Sequence, residues 1–222
     1  MAGSSRNVHD APEGAYAARA VIDASSLSSI QEANHAFLGL LAEGASVPHG
    51  GGALGLGAAH LERIRRLDGA GRMAVAECPY TLFDLRFGDV AFWRGLASRA
   101  EVPDRLPSAP SAAFSRTAVF LAWHFAQSNE LAASLVLGMG AQAQRLWRGM
   151  PVSALESAAL RAAPQLEARW GQHPTFWTRL LETEGPGGRD RGEAVRLLGL
   201  QLIAADGVWP ASSSVAQDER PG

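Results

Sequence analysis

The chain has 222 residues (23.4 kDa), 47% of them apolar, with a formal charge of −2 and a pI near 6.3. This is the composition of a globular chain and not of a disordered one, and the length allows one or two domains with a sizeable core. All twenty basic residues are arginine and they are scattered, so the basic stripe of an autonomous nucleic-acid binder is missing.

No apolar run approaches the ~20 residues of a membrane helix, so no membrane association is expected. The single cysteine, Cys78, excludes a disulfide framework and a disulfide-linked partner, and it points to the cytoplasm. Met1 to Gly14 lacks the apolar segment of a secretory leader, and residues 1–20 read as a disordered N-terminus. The first helical signal is Ser29-Ile30-Gln31-Glu32, which has the form of a capping box. Ile30, Ala33, Phe37, Leu38 and Leu41 then share one helix face, with Gly44 as a stop. A short helix over Leu61–Leu67 carries Arg63, Arg65 and Arg66, with Arg72 following. It is expected to bury Leu61, Ile64 and Leu67 and to expose the arginines.

Phe83, Leu85 and Phe87 alternate with Asp84 and Arg86, which predicts an extended connector too short to make a sheet by itself. Residues 101–112 hold three prolines and read as a linker. Phe114, Ala118, Leu121 and Phe125 mark the central helix, since Val119, Phe120 and Trp123 make it apolar over more of its surface. Ser153 to Glu156 is a second capping-box pattern, and a last helix is expected from about Gly192 to Asp206, ahead of Gly207 and Pro210. Residues 211–222 read as a disordered tail.

The chain also repeats itself. LGLGAAHLERIRRL (54–67) matches LGMGAQAQRLWRGM (137–150), LFDLRF (82–87) matches QLEARW (165–170), and AFWRGL (91–96) matches TFWTRL (175–180). Upstream, Phe37-Leu38 matches Phe120-Leu121, and the register holds with one single-residue slip. The expected architecture is therefore all-α, with repeat unit 1 over 21–100, repeat unit 2 over 113–184 and an added C-terminal helix over 185–210. Trp93 and Trp177 are expected to close the core of each unit, the alternative being exposed contact residues. Arg86 and Arg169 recur with an acidic residue two positions before them. That pattern suggests a structural role kept by both units, satisfying a helix C-terminus or a local carboxylate.

Motifs for chemistry are few. Gly50 to Gly55 spell a formal G-x-G-x-x-G, but a helix end precedes it where a dinucleotide fingerprint needs a strand, so it reads as a loop. A P-loop needs lysine, and no G-x-S-x-G is present. The six histidines show no metal-ligand spacing, so no metal or cofactor is expected. His124, in the most apolar helix, reads as a hydrogen-bonded core residue. Cys78 reads as a small buried hydrophobe and not a reactive thiol.

Leu54 to Asp89 resembles the core of the flagellar transcriptional activator FlhD family: a Leu-Gly turn, a short helix, then Val75-Ala76-Glu77 and Leu85-Arg86-Phe87-Gly88-Asp89. FLAWHFAQSNELAASLVLGMG in unit 2 is similar to that family's first helix running into its turn. The resemblance implies a helical regulator that acts on promoter DNA with a zinc-bearing partner, its tandem units packed as a pseudo-dimer. The family is a single unit where this chain is doubled, and its cysteine near the F-R-F segment falls at Phe83 here. The residues by themselves favour a non-enzymatic interaction or adaptor protein with a protein partner. An FlhD-like regulator acting on DNA is the alternative, and an enzyme or small-molecule binder using a pocket between the units comes third. For either of the first two, Arg63, Arg65, Arg66 and Arg72 are the candidate nucleic-acid or partner contacts.

Overall fold

The first helix is started by a side chain outside the expected capping box. Asp23 accepts a hydrogen bond from Ser26 N (2.8 Å), which satisfies one of the free amides of a helix start, so α1 runs Ala24–Ala42. Ser29 lies inside this helix, its hydroxyl turned back to Ser25 O, and Glu32 accepts from Ser28. The box pattern at Ser29 is thus a mid-helix coincidence. The computed structural model describes residues 22–44, 54–98, 108–182 and 188–205. The expected disordered ends, the loop His49–Ala53, residues 101–107 of the expected linker and the stop at Gly207 lie outside the described residues.

After α1 come α2 (Ala58–Arg66), α3 (Gly69–Ala76), β1 (Phe83–Asp84) and α4 (Val90–Ser98). Then follow α5 (Ala109–Ser128), α6 (Glu130–Leu137), α7 (Ala141–Arg148), α8 (Val152–Ala162), a 3₁₀ turn (Ala163–Gln165), β2 (Glu167–Ala168), α9 (Phe176–Leu180) and α10 (Gly188–Ala205). The all-α class holds: the strands are two residues each.

Other starts and stops differ from the sequence reading for local reasons. Ser108 caps α5 and Pro110 sits in its first turn, so the last residues of the expected linker are helix. The long helix expected from Phe120 to the Leu-Gly turn breaks at Asn129, whose side chain accepts from Ala132 N and starts α6. Gly138 ends α6 in the left-handed conformation (φ 70°), with Gly138 N bonded to Ser134 O and Met139 N to Ala133 O. α8 begins after Pro151 with no side-chain cap, so Ser153 to Glu156 is not a capping box either. α10 starts at Gly188, four residues before the expected position.

α5 is the central helix and packs on α1, α6, α7 and α8. Its Phe114 ring lies 5.5 Å from Phe37 and 4.8 Å from Phe83, which are 5.6 Å from each other, so the three rings form one cluster in a shared core. The Phe37-Leu38 and Phe120-Leu121 match does not carry into packing. Phe37 and Leu38 are fully buried, Phe120 is 42% exposed and Leu121 is half-buried. His124 is exposed on this helix and is not a core residue, because its neighbours Phe125 and Ala126 take the inward face.

Two buried amides organise the connections. Asn34 donates to Tyr80 O (2.9 Å), Ala76 O (3.2 Å) and Cys78 O (3.4 Å), and accepts from Leu82 N (2.8 Å). Gln144 donates to Glu130 O, Met139 O and Ser134 Oγ within 2.9 Å. Each holds a stretch of backbone that lacks the regular partners of a helix or sheet. α10 packs on α9 and is also held at Tyr80 and Glu77: Tyr80 donates to Val195 O (3.2 Å), Arg196 pairs with Glu77 (2.8 Å), and Gly199 leaves the space that the Tyr80 ring fills.

Candidate functional site

The extended pieces of the two units are joined to each other. β1 and β2 pair antiparallel with Phe83 opposite Ala168 and Asp84 opposite Glu167. The self-match of 82–87 with 165–170 aligns Asp84 with Glu167, so this residue faces its own counterpart across the ladder. Two residues of each extended piece pair with the other piece, which corrects the expectation of a lone connector. Phe83, Leu85 and Phe87 point into the core, as their alternation requires.

Beyond the ladder, each unit makes the same turn. Arg86 (φ 57°) begins a turn closed by Asp89 N to Arg86 O, and Trp170 (φ 54°) begins one closed by His173 N to Trp170 O, both 2.9 Å. Asp89 then caps α4 through Phe92 N (2.8 Å), and His173 Nδ1 accepts from Phe176 N (3.1 Å) at α9. In this turn Arg86 matches Trp170, whereas the indole hydrogen bonds of Trp93 to Arg86 O and of Trp177 to Arg169 O match Arg86 with Arg169. The role expected for Arg86 and Arg169, satisfying a helix C-terminus or a local carboxylate, is divided between them. Arg86 is exposed, paired with Asp89 and lying over the Phe92 ring. Arg169 is buried, donates to Val136 O (2.8 Å) in the last turn of α6, and lies over Trp170.

Trp93 and Trp177 are both fully buried. Trp93 Nε1 donates to Arg86 O and Trp177 Nε1 to Arg169 O, each at 2.9 Å, so each tryptophan ties a helix to the strand end. Several contacts then cross between units. Trp147 of α7 donates to Phe87 O (3.1 Å) and its ring lies 4.3 Å from that of Trp93 at a 56° tilt, while His60 of α2 bonds Thr178 of α9 (3.1 Å).

Beside the ladder lies a cleft of about 560 Å³, walled by the 84–89 turn of unit 1 and the 137–140 turn of unit 2. Asp84, Asp89, Glu167, Arg86 and Arg169 line it, with Trp170 and Leu137 as apolar walls. Burial pushes the Asp84 carboxyl above the usual carboxylate range, against Arg169 and the backbone N–H groups of residues 85–87. Glu167 is also raised, first by burial and then by the Asp84 charge opposite it. Asp89 is held low by Phe92 N–H at the start of α4 and by Arg86.

The candidate arginines lie elsewhere. Arg63, Arg65 and Arg66 are exposed on α2, with Leu61, Ile64 and Leu67 buried beneath. Arg65 and Arg66 pair with Glu62 at 3.9 and 3.0 Å, and Arg63 with Glu182 at 3.8 Å. Arg72 sits half-buried on α3 and does not join them. Among the described residues no group of three His, Cys, Asp or Glu side chains could hold a metal ion, and no helix is long and apolar enough to cross a membrane. Cys78 is buried, which pushes its thiol up to about 12.

Sequence reasoning missed Asn34 and Gln144, and its third reading placed a pocket between the units without naming the residues that line it. Asn34 carried a signal, a polar residue on the apolar stripe of α1; the lining of the cleft carried none, because its walls come from segments far apart in the chain. No family model, curated protein or solved structure matches this chain.

Proposed function

We propose that the chain is a non-enzymatic, cytoplasmic interaction protein whose two units pack as a pseudo-dimer and present one apolar face to a protein partner. The single observation that carries this is on α5 and α8. Arg116 of α5 meets Glu156 of α8 (3.4 Å), and Trp123 donates to Met150 O just ahead of α8 (3.1 Å), so the helices run antiparallel. Phe120 and Val152 lie on the facing helices in the stretch between those two contacts, 42% and 54% exposed. An aromatic and a branched aliphatic residue exposed on facing helices, rimmed by an ion pair, have the form of a contact anchor.

The pseudo-dimer is supported by Asp84 facing Glu167 and by the contacts that cross between units. An FlhD-like regulator acting on DNA stands second. The exposed side shared by Arg63, Arg65 and Arg66 favours it, but Glu62 and Glu182 already take up much of their charge.

The test is affinity capture from native lysate by the wild type and by Phe120→Asp/Val152→Asp, with and without nuclease. A protein recovered in both arms and lost with the double variant, at unchanged thermal stability, supports the interaction reading. Recovery that the double variant leaves intact refutes this face. DNA recovered together with a zinc protein, and lost on nuclease treatment, moves the conclusion to the regulator.

A further inference from the structure

α10 touches both units. It packs on α9 of unit 2 and is held by Tyr80 and Glu77 of unit 1. A row of rings crosses between the same two places. Tyr80 lies edge-on to Trp170 (5.3 Å), and Trp170 edge-on to Phe176 (4.8 Å), the first residue of α9. For its length α10 is weakly held. α5, of comparable length, buries nine residues, whereas the buried face of α10 is Gly192, Val195, Gly199 and Ile203. Two of those four bring no side chain, and glycine inside a helix also weakens the helix itself. Leu198, Leu200 and Leu202 add surface that is only half-buried. Few buried apolar contacts and little intrinsic helix stability are the features of a segment that opens locally.

The attachment in unit 1 is compact. The Tyr80 hydroxyl donates to Val195 O, its ring occupies the place of a Gly199 side chain, and Arg196 pairs with Glu77. Cys78 lies between Glu77 and Tyr80 and is buried. After burial, the strongest influences on its thiol are the Arg196 charge on α10 and then the Tyr80 hydroxyl, so the thiol belongs to the same attachment. We propose that α10 is a strap that opens and closes as one unit ahead of global unfolding, tying unit 2 to unit 1 when closed and uncovering Tyr80 and Cys78 when open. Lifting the helix breaks the Val195 and Arg196 contacts together, because the two residues are adjacent on it. The segment beneath stays in place, since Asn34 of α1 holds the carbonyls of Ala76, Cys78 and Tyr80 without help from α10.

The experiment follows the reaction of Cys78 with the aromatic disulfide DTNB in the full chain, from zero to sub-denaturing urea, beside global unfolding read by circular dichroism. The labelling rate should rise with urea along a clearly smaller slope than global unfolding, because less surface is exposed. Ile203→Ala should label at least about tenfold faster, although Ile203 lies well beyond Val195 along the helix; this reads opening as one unit. Tyr80→Phe should label about fivefold faster through loss of the bond to Val195 O. Leu155→Ala, in the core under α8, should lower the urea midpoint and leave the labelling rate unchanged. Acceleration in Leu155→Ala by the factor of its lost stability overturns the proposal, as does an unchanged rate in Ile203→Ala. Should either variant not fold, the wild type decides alone: a labelling slope equal to the global one overturns the strap.

Discussion

Replacing Gly199 with alanine should destabilise the docking of α10, against the usual direction for a helical glycine. Alanine is favoured over glycine in a helix by about 1 kcal/mol. At Gly199, however, a Cβ would fall 2.8 Å from Tyr80 Cε1 and closer still to Cζ and Oη. The ring cannot swing aside: it is buried, packs edge-on to Trp170 (5.3 Å) and donates to Val195 O one turn earlier on the same helix. Overpacking of this kind costs about 1–3 kcal/mol, and losing the tyrosine hydrogen bond adds about 1 kcal/mol. If the helix lifts instead, Val195 and Ile203 lose their burial at about 1.5–3 kcal/mol each. The expected net loss is therefore roughly 1–3 kcal/mol, read from urea unfolding. The chain supplies its own local probe. Cys78, its single cysteine, lies between Glu77 and Tyr80, which both hold α10, and is buried with its thiol raised to about 12. Thiol-reagent kinetics should quicken in Gly199→Ala, and Tyr80→Leu in the same chain should reduce the penalty. Gly39→Ala is the control, since nothing lies within 4 Å of its Cβ, and it should gain about 0.5–1 kcal/mol. Stabilisation of Gly199→Ala to the same extent as Gly39→Ala, with thiol kinetics unchanged, would refute the packing argument.

Trp93→Ala and Trp177→Ala should each cost about 3–5 kcal/mol in chemical unfolding, since both rings are fully buried and both indoles hold a strand-end carbonyl. Asn34→Ala strands Leu82 N and three carbonyls in the core and should cost roughly 3 kcal/mol or more, measured in the same way. The triple change of Arg63, Arg65 and Arg66 to alanine should shift stability by no more than about 1 kcal/mol, because their ion pairs are exposed. Asp84 titrates above its ordinary value, so its stabilising contribution is complete below about pH 4 and is lost as pH rises through its folded value. Asp84→Asn should accordingly match wild type in melting temperature at low pH and exceed it at neutral pH; equal offsets at both ends would contradict this.

Periodicity alone determined the helical class, the burial of Leu61, Ile64 and Leu67, and the inward face of Phe83, Leu85 and Phe87. These follow from spacing along one chain, because a residue's face is set by its neighbours three or four positions away, or two in an extended stretch. Self-comparison singled out Trp93 and Trp177, both fully buried, since a repeated core must be filled at repeated positions. Helix starts were less legible: Asp23, Ser108 and Asn129 cap helices through single hydrogen bonds that resemble many others in the sequence. Only the tertiary structure decided that Asp84 faces Glu167, that Arg169 reaches Val136 O while Arg86 pairs with Asp89, and that Gln172 bonds Gly55 O. The first and last of these depend on which groups of one unit meet those of the other, and such meetings between residues far apart in the chain leave no periodic trace in the sequence.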